Sequence, residues 1–214
     1  MADKFWVDSK LKMKQGGNKK GKVVIISGPS GVGKSTICKE IVKRLKDIYL
    51  SISVTTRQKG EAEVDGRDYW FISDDEFRQR INNGLLLEYA EVFGNLYGTP
   101  RDKVEKALAA GKTVILEIDV QGAKLARAVY PDAIMIFILP PTHRELAERI
   151  SQRARDSSEA VEERLEGAGT EIAAAWQYYD NMVINEDLQQ AVNECIQIIQ
   201  SAGRKKIKSK RQEF

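Results

Sequence analysis

The stretch Gly28-Pro29-Ser30-Gly31-Val32-Gly33-Lys34-Ser35 fits G-x-x-x-x-G-K-[ST], a phosphate-binding loop. It restricts the fold because such a loop works only between a strand and a helix, and both flanks comply. Val23-Val24-Ile25-Ile26-Ser27 is a short β-branched run that reads as a buried parallel strand. From Ser35 to Ile48, apolar residues recur at Ile37, Ile41, Val42 and Leu45, which is helical spacing. The glycines let backbone N–H groups turn inward around phosphate oxygens without Cβ clashes, and the helix N-terminus adds partial positive charge. Lys34 is placed to reach the β- and γ-phosphates, and Ser35 offers a hydroxyl to Mg²⁺. The expected ATP-binding stretch is thus Gly28, Pro29, Ser30, Gly31, Val32, Gly33, Lys34, Ser35 and Thr36. The loop points to a nucleoside triphosphate and is silent on what becomes of it.

Around this loop, apolar runs alternate with helical patterns, which predicts an α/β fold with a parallel sheet core. Strands are expected at Leu50 to Thr55, Tyr69 to Ile72, Leu85 to Phe93, Thr113 to Ile118, Ala133 to Leu139 and Met182 to Ile184. Ser73-Asp74-Asp75-Glu76 and Thr142-His143-Arg144-Glu145 are capping boxes that open helices. Pro100 is expected at the first helical position of another helix, which Gly111 ends. Asp156-Ser157-Ser158-Glu159 breaks and restarts a long charged helix. Residues 51–99 are richer in strand and interrupt the alternation, so they are expected to form an inserted mixed-strand subdomain within a domain spanning 22–203.

The net charge of +3 misleads about partners. Residues 1–22 carry seven Lys against two Asp, and residues 204–214 carry six basic residues against Glu213, so the body between them is acidic. That argues against nucleic acid as the main partner. Residues 1–21 read as a flexible basic leader and 204–214 as a solvated basic tail. Cys38 and Cys195 lie far apart on expected helices, which suits core thiols in a reducing cytosol. No run of 18 apolar residues and no signal-peptide pattern occurs, so a cytoplasmic location without a membrane span is expected.

Further motifs say more. They are Ser53-Val54-Thr55-Thr56-Arg57, Glu63-Val64-Asp65-Gly66-Arg67-Asp68-Tyr69, Leu87-Glu88-Tyr89-Ala90-Glu91, Gly94-Asn95-Leu96-Tyr97-Gly98-Thr99 and Ile118-Asp119-Val120-Gln121-Gly122. In this order, from about residue 23 to 200, the chain closely resembles guanylate kinase. The resemblance implies a P-loop three-layer fold with a GMP-binding insertion and a helical lid at about 142–165. It also implies MgATP-dependent transfer of a phosphoryl group to GMP, and dGMP is expected to serve too, since none of the contacts named below touches the 2′ position. By resemblance, Arg57, Tyr69 and Tyr97 hold the GMP phosphate with Ser53 nearby, while Glu88 and Thr99 face the guanine. The chemistry suits those roles. A dianion needs guanidinium and hydroxyl donors, and guanine sets N1–H and its amine beside the O6 acceptor.

Val114-Ile115-Leu116-Glu117-Ile118-Asp119 also looks like a Walker B strand. Asp119 has two open roles, holding Mg²⁺ through water or facing guanine, and Glu117 is expected one layer further back. Arg149 and Arg153 share a helix face and Arg164 follows on the next helix; the family places such arginines in a lid over the triphosphate. Asn185 matches the family position near the adenine. His143, the single histidine, sits in a first helical turn and is not expected to be catalytic, since a phosphate acceptor needs no general base.

The chain departs from the family at one place. The family usually carries a second arginine three residues after the first, and here that position is Gly60, preceded by Lys59. Lys59 offers a point charge without a guanidinium fork, so weaker GMP binding is expected. Two rival readings stand beside this one: another P-loop enzyme, either a kinase for another monophosphate or a GTP-hydrolysing switch, and a non-catalytic guanylate-kinase-like interaction module. The absent Asn-Lys-x-Asp motif argues against the switch. Lys34, Ser35 and the lid arginines argue against the module.

Overall fold

The computed structural model describes residues 21–92, 94–151 and 158–201. Along them run β1 (Lys22–Ser27), α1 (Lys34–Arg44), β2 (Ile48–Ser51), β3 (Val54–Thr55), β4 (Trp70–Phe71), α2 (Asp74–Asn82), β5 (Leu86–Val92) and β6 (Asn95–Pro100). There follow α3 (Arg101–Ala109), β7 (Thr113–Glu117), α4 (Val120–Val129), β8 (Ile134–Leu139), α5 (His143–Ser151), α6 (Ser158–Tyr178), β9 (Asn181–Ile184) and α7 (Leu188–Ser201).

Five strands form one parallel sheet in the order β2-β7-β1-β8-β9. Both of its faces are covered, and β1 shows why its sequence is apolar at every position from Val23 to Ile26. Val24 and Ile26 join one core cluster with Ile37, Ile41, Leu146 and Val192. Val23 and Ile25 join the other with Val104, Ala123, Ala126 and Phe137. A strand alternates faces, so a strand buried on both sides must be apolar throughout, and the result is three layers. The phosphate loop leaves the C-terminal end of β1 in the middle of this sheet, where open α/β sheets place their ligands.

The second sheet, β4-β3-β6-β5, is mixed: β3 pairs β4 parallel, while β6 pairs β3 and β5 antiparallel. Its small core is Val54, Phe77 and Leu86, with α2 packed on one side. Ser73 caps α2 as its motif predicts, its hydroxyl accepting from the Glu76 N–H at 3.2 Å. Thr142 does the same for Glu145 at 3.1 Å.

Three expectations are revised. The run from Leu50 to Thr55 is not one strand: it ends in the parallel sheet at Ser51 and restarts at Val54 in the mixed one. Pro100 is the N-cap of α3, not its first helical residue. Residues 95–100, where no strand is expected, form β6 and pair with both β3 and β5. The basic tail, all of the leader but Gly21, Arg153, and the Asp156-Ser157 start of the expected helix break lie outside the described residues.

Candidate active site

The phosphate loop is shaped by close backbone approaches. At Gly28 (φ +152°) a Cβ would stand 2.5 Å from the Ile138 carbonyl oxygen of β8. At Gly33 (φ +101°) it would stand 2.5 Å from Asn185 Nδ2. Lys34 Nζ curls back over the loop and donates to the carbonyls of Gly28 at 2.5 Å and Pro29 at 3.0 Å. Its ammonium is therefore already held at the mouth of the loop. Asn185, expected near the adenine, is buried and donates from Nδ2 to the Val32 carbonyl at 2.7 Å. It buttresses the loop from below. Arg149 Nη2 donates to the Asn185 carbonyl at 3.1 Å and to Glu145 Oε2 at 3.3 Å, which ties α5 to the turn after β9. Arg164 is half-buried on α6.

Glu117, at the C-terminal end of β7, sits closer to the chemistry than its sequence position suggested. Ser35 Oγ donates to Glu117 Oε1 at 2.5 Å. A hydroxyl and a carboxylate side by side are the hard oxygen donors that Mg²⁺ takes, directly or through water. The strand pattern carried the signal, an apolar run ending in a carboxylate next to the loop strand: Glu117 pairs in register with Ile26 of β1. Asp119 has a different position. It caps α4, with Oδ1 accepting from the Gly122 N–H at 2.7 Å, and burial pushes its carboxyl above the usual range.

Asp119 lies beside Glu88. A Cβ at Gly122 would be 2.5 Å from Glu88 Oε2 and 3.2 Å from Asp119 Oδ1, so only glycine lets α4 approach both carboxylates. Glu88 and Thr99 come from adjacent strands β5 and β6, both buried, and Thr99 Oγ1 donates to Glu88 Oε1 at 2.5 Å. Burial pushes the Glu88 carboxyl up to about 7; the Thr99 hydroxyl opposes that rise and the Asp119 charge adds to it.

The arginine and tyrosines also converge. Tyr69 and Tyr97 meet edge to face, ring centroids 5.8 Å apart, and the Arg57 guanidinium carbon lies 5.5 Å from the Tyr69 centroid. Arg57 sets its fork on Glu63, Nη1 to Oε2 at 3.0 Å and Nη2 to Oε1 at 2.7 Å. The Gly60 N–H donates to the same Oε2 at 2.7 Å, and Lys59 Nζ reaches the Glu63 carbonyl at 3.3 Å. Glu63 thus occupies the geometry a phosphate would take. That pairing strengthens the Arg57 charge and holds the Glu63 carboxyl below its usual range. Ser53 is buried in the crossing between β2 and β3, its carbonyl accepting from the Trp70 N–H at 2.9 Å.

Known proteins resemble this chain along most of its length. A family model described as guanylate kinase matches residues 20–202. The guanylate kinase of Carboxydothermus hydrogenoformans is 45% identical over 192 residues, covering 90% of this chain and 92% of the relative. That of Thermosynechococcus vestitus is 48% identical over 172 residues, covering 80% and 90%. The crystal structure of guanylate kinase from Anaplasma phagocytophilum superposes with a TM-score of 0.74 at 33% identity, covering 88% of this chain and 89% of that one.

Proposed function

The chain belongs to the guanylate kinase family, and from that premise we propose that it moves the γ-phosphoryl group of MgATP to GMP, giving ADP and GDP. The observation that carries the reading is the buried Glu88–Thr99 pair standing with Asp119 against Gly122, in the same molecule as an intact phosphate loop. Ionised Glu88 accepts from guanine N1–H and the exocyclic amine. Thr99 then turns its hydroxyl from Glu88 to O6. Adenine would present an acceptor to the carboxylate and leave buried donors unpaired, a mismatch worth about 10⁴–10⁵ in discrimination.

The GMP phosphate takes the place of Glu63 on Arg57, with the Tyr69 and Tyr97 hydroxyls as further donors and Ser53 beside them. The inserted subdomain, about residues 51–99, holds the acceptor; the core, 22–50 and 100–203, holds ATP. Lys34 exchanges the two loop carbonyls for β- and γ-phosphate oxygens, joined by backbone N–H groups of the stretch from Gly28 to Thr36, Pro29 excepted. Arg149, Arg153 and Arg164, on a lid of about 142–165, neutralise charge on the transferring group and keep water out. Asn185 supports the loop from beneath. Ser35 and Glu117 would hold the magnesium that arrives with ATP, and that ion would supply neutralisation of the phosphate charge. No side chain need remove a proton, because the attacking group is already a phosphate anion. None of the proposed contacts is to the 2′ position, so dGMP is expected to serve as an acceptor as well.

The direct test is ADP formation from MgATP with GMP, dGMP, AMP, CMP, UMP or no acceptor. Turnover with the two guanine nucleotides alone is expected. Turnover with another base would show that Glu88 and Thr99 do not read the acceptor. Binding of GMP without turnover would identify an interaction module.

The Gly60 position gives a second expectation. Gly60→Arg restores a second fork beside Arg57 and is expected to lower KM for GMP about threefold to tenfold with kcat little changed. An unchanged KM would mean that Lys59 already fills the role.

A further inference from the structure

The acceptor loop and the phosphate loop are joined by an ion pair that lies outside every contact assigned above. Lys39, on the exposed side of α1 and five residues after Lys34, donates from Nζ to Asp68 Oδ1 at 2.8 Å. Asp68 immediately precedes Tyr69. Its other oxygen accepts from the Val64 N–H at 3.0 Å and from Arg67 Nε and Nη2 at 3.0 and 2.7 Å. The carboxylate is therefore the hub of the loop that carries Tyr69, and one of its spokes crosses to the helix that carries the phosphate loop.

Exposed ion pairs contribute little on average, because two long side chains must be ordered to form one contact. This one differs on one side. The Asp68 side chain is 15% exposed and already fixed by its own loop, so only Lys39, at 50%, is ordered by the pairing. These donors hold the Asp68 carboxyl well below the usual carboxylate range, so it stays charged through the working range of pH. The chain around it also restricts where the loop can go. Gly66 (φ +73°) lies flat against the Trp70 ring, where a Cβ would stand 2.8 Å from the ring carbons, and Lys103 of α3 lies 3.9 Å from the centroid of that ring.

We propose that the Lys39–Asp68 pair positions the acceptor half of the site, docking the Tyr69 loop on the phosphate-loop helix before either nucleotide binds. The inference rests on the phosphotransfer reading and extends it: Lys39 is a positioning residue that touches no substrate and acts through Asp68 on Tyr69. Neutralising it makes GMP binding build the docked arrangement, so affinity for GMP falls while the transfer step, once both nucleotides are in place, does not.

The test uses the full chain and compares wild type with Lys39→Met, Lys39→Arg and Asp68→Asn by steady-state kinetics and by calorimetric titration of GMP without ATP. Lys39→Met is expected to raise both KM and Kd for GMP about threefold to fivefold, with kcat within twofold. Lys39→Arg is expected to restore both constants, and the difference is expected to shrink at high ionic strength. Asp68→Asn also loosens its own loop, and adding Lys39→Met to it is expected to cost nothing further, the coupling a double-mutant cycle reads. Unchanged GMP affinity in Lys39→Met, or equal losses in the presence and absence of Asp68, would overturn the proposal. A wild type with no guanine-dependent turnover would instead overturn the phosphotransfer reading, so the two failures are distinct.

Discussion

Lys34→Met is expected to lower kcat by about 10²–10³-fold while leaving the fold and GMP binding intact. The size follows from what the ammonium does. In the proposed mechanism it is the cation aimed at the point where charge gathers as the phosphoryl group leaves, and one such preorganised donor is worth about 10²–10³ in rate. The loop needs its lysine for chemistry more than for shape. Its turns come from glycines at positive φ and from the Asn185 buttress, and the Lys34 ammonium bonds the Gly28 and Pro29 carbonyls at a partly open position that water can reach. The measurements are ADP release under saturating GMP, a thermal melt, and GMP titration. A variant that keeps a tenth of wild-type turnover would show that the charge is supplied elsewhere.

The second large effect is expected at Glu88. Glu88→Gln turns part of an acceptor edge into a donor facing guanine N1–H, so KM for GMP should rise about 100-fold, the scale of a lost hydrogen bond to a charged group. AMP, whose N1 is an acceptor, should lose far less, and the preference for guanine should narrow. The pH dependence separates this from simple misfolding. Burial raises the Glu88 carboxyl to about 7, and the proposed guanine contact requires the ionised form. KM for GMP in the wild type should therefore fall as pH rises from 6 to 8, and GMP binding near pH 7 should release a proton. The Gln variant should lose that component and keep only the titration of the nucleotide's own phosphate. A wild-type profile identical to that of the variant would place the guanine contact on another residue.

Much of this site was legible in the chain because its chemistry is local. The phosphate loop is one contiguous motif. The capping boxes at Ser73 and Thr142 lie within four residues, and β1, β7 and β8 are apolar enough to be read alone. What escaped was decided at a distance. Ile52 and Ser53 carry no turn residue between Leu50 and Val54, yet the chain changes sheets there because Leu50 has Ile115 for a neighbour and Val54 has Gly98. Residues 95–100 carry Gly98 and Pro100 and little alternation, and they are a strand because β3 and β5 offer pairing on both edges. Glu117 and Asp119 are two residues apart and look interchangeable in sequence. The sheet sorts them, putting Glu117 on Ser35 while Asp119 turns out to cap α4 next to Glu88. Asn185 matched a nucleotide position by resemblance, and its amide is directed at the loop backbone.

Cys38 packs in the core beneath the phosphate-loop helix, and Cys195 packs in the same core from α7. Both thiols are free and buried, and desolvation pushes both well above the ordinary range for ionisation, so neither presents the thiolate that alkylating reagents attack. The chain has two cysteines in all. A reporter dye can therefore be attached at a single cysteine introduced on the insertion, with the native pair left in place, and the arrival of each nucleotide followed as a change in fluorescence.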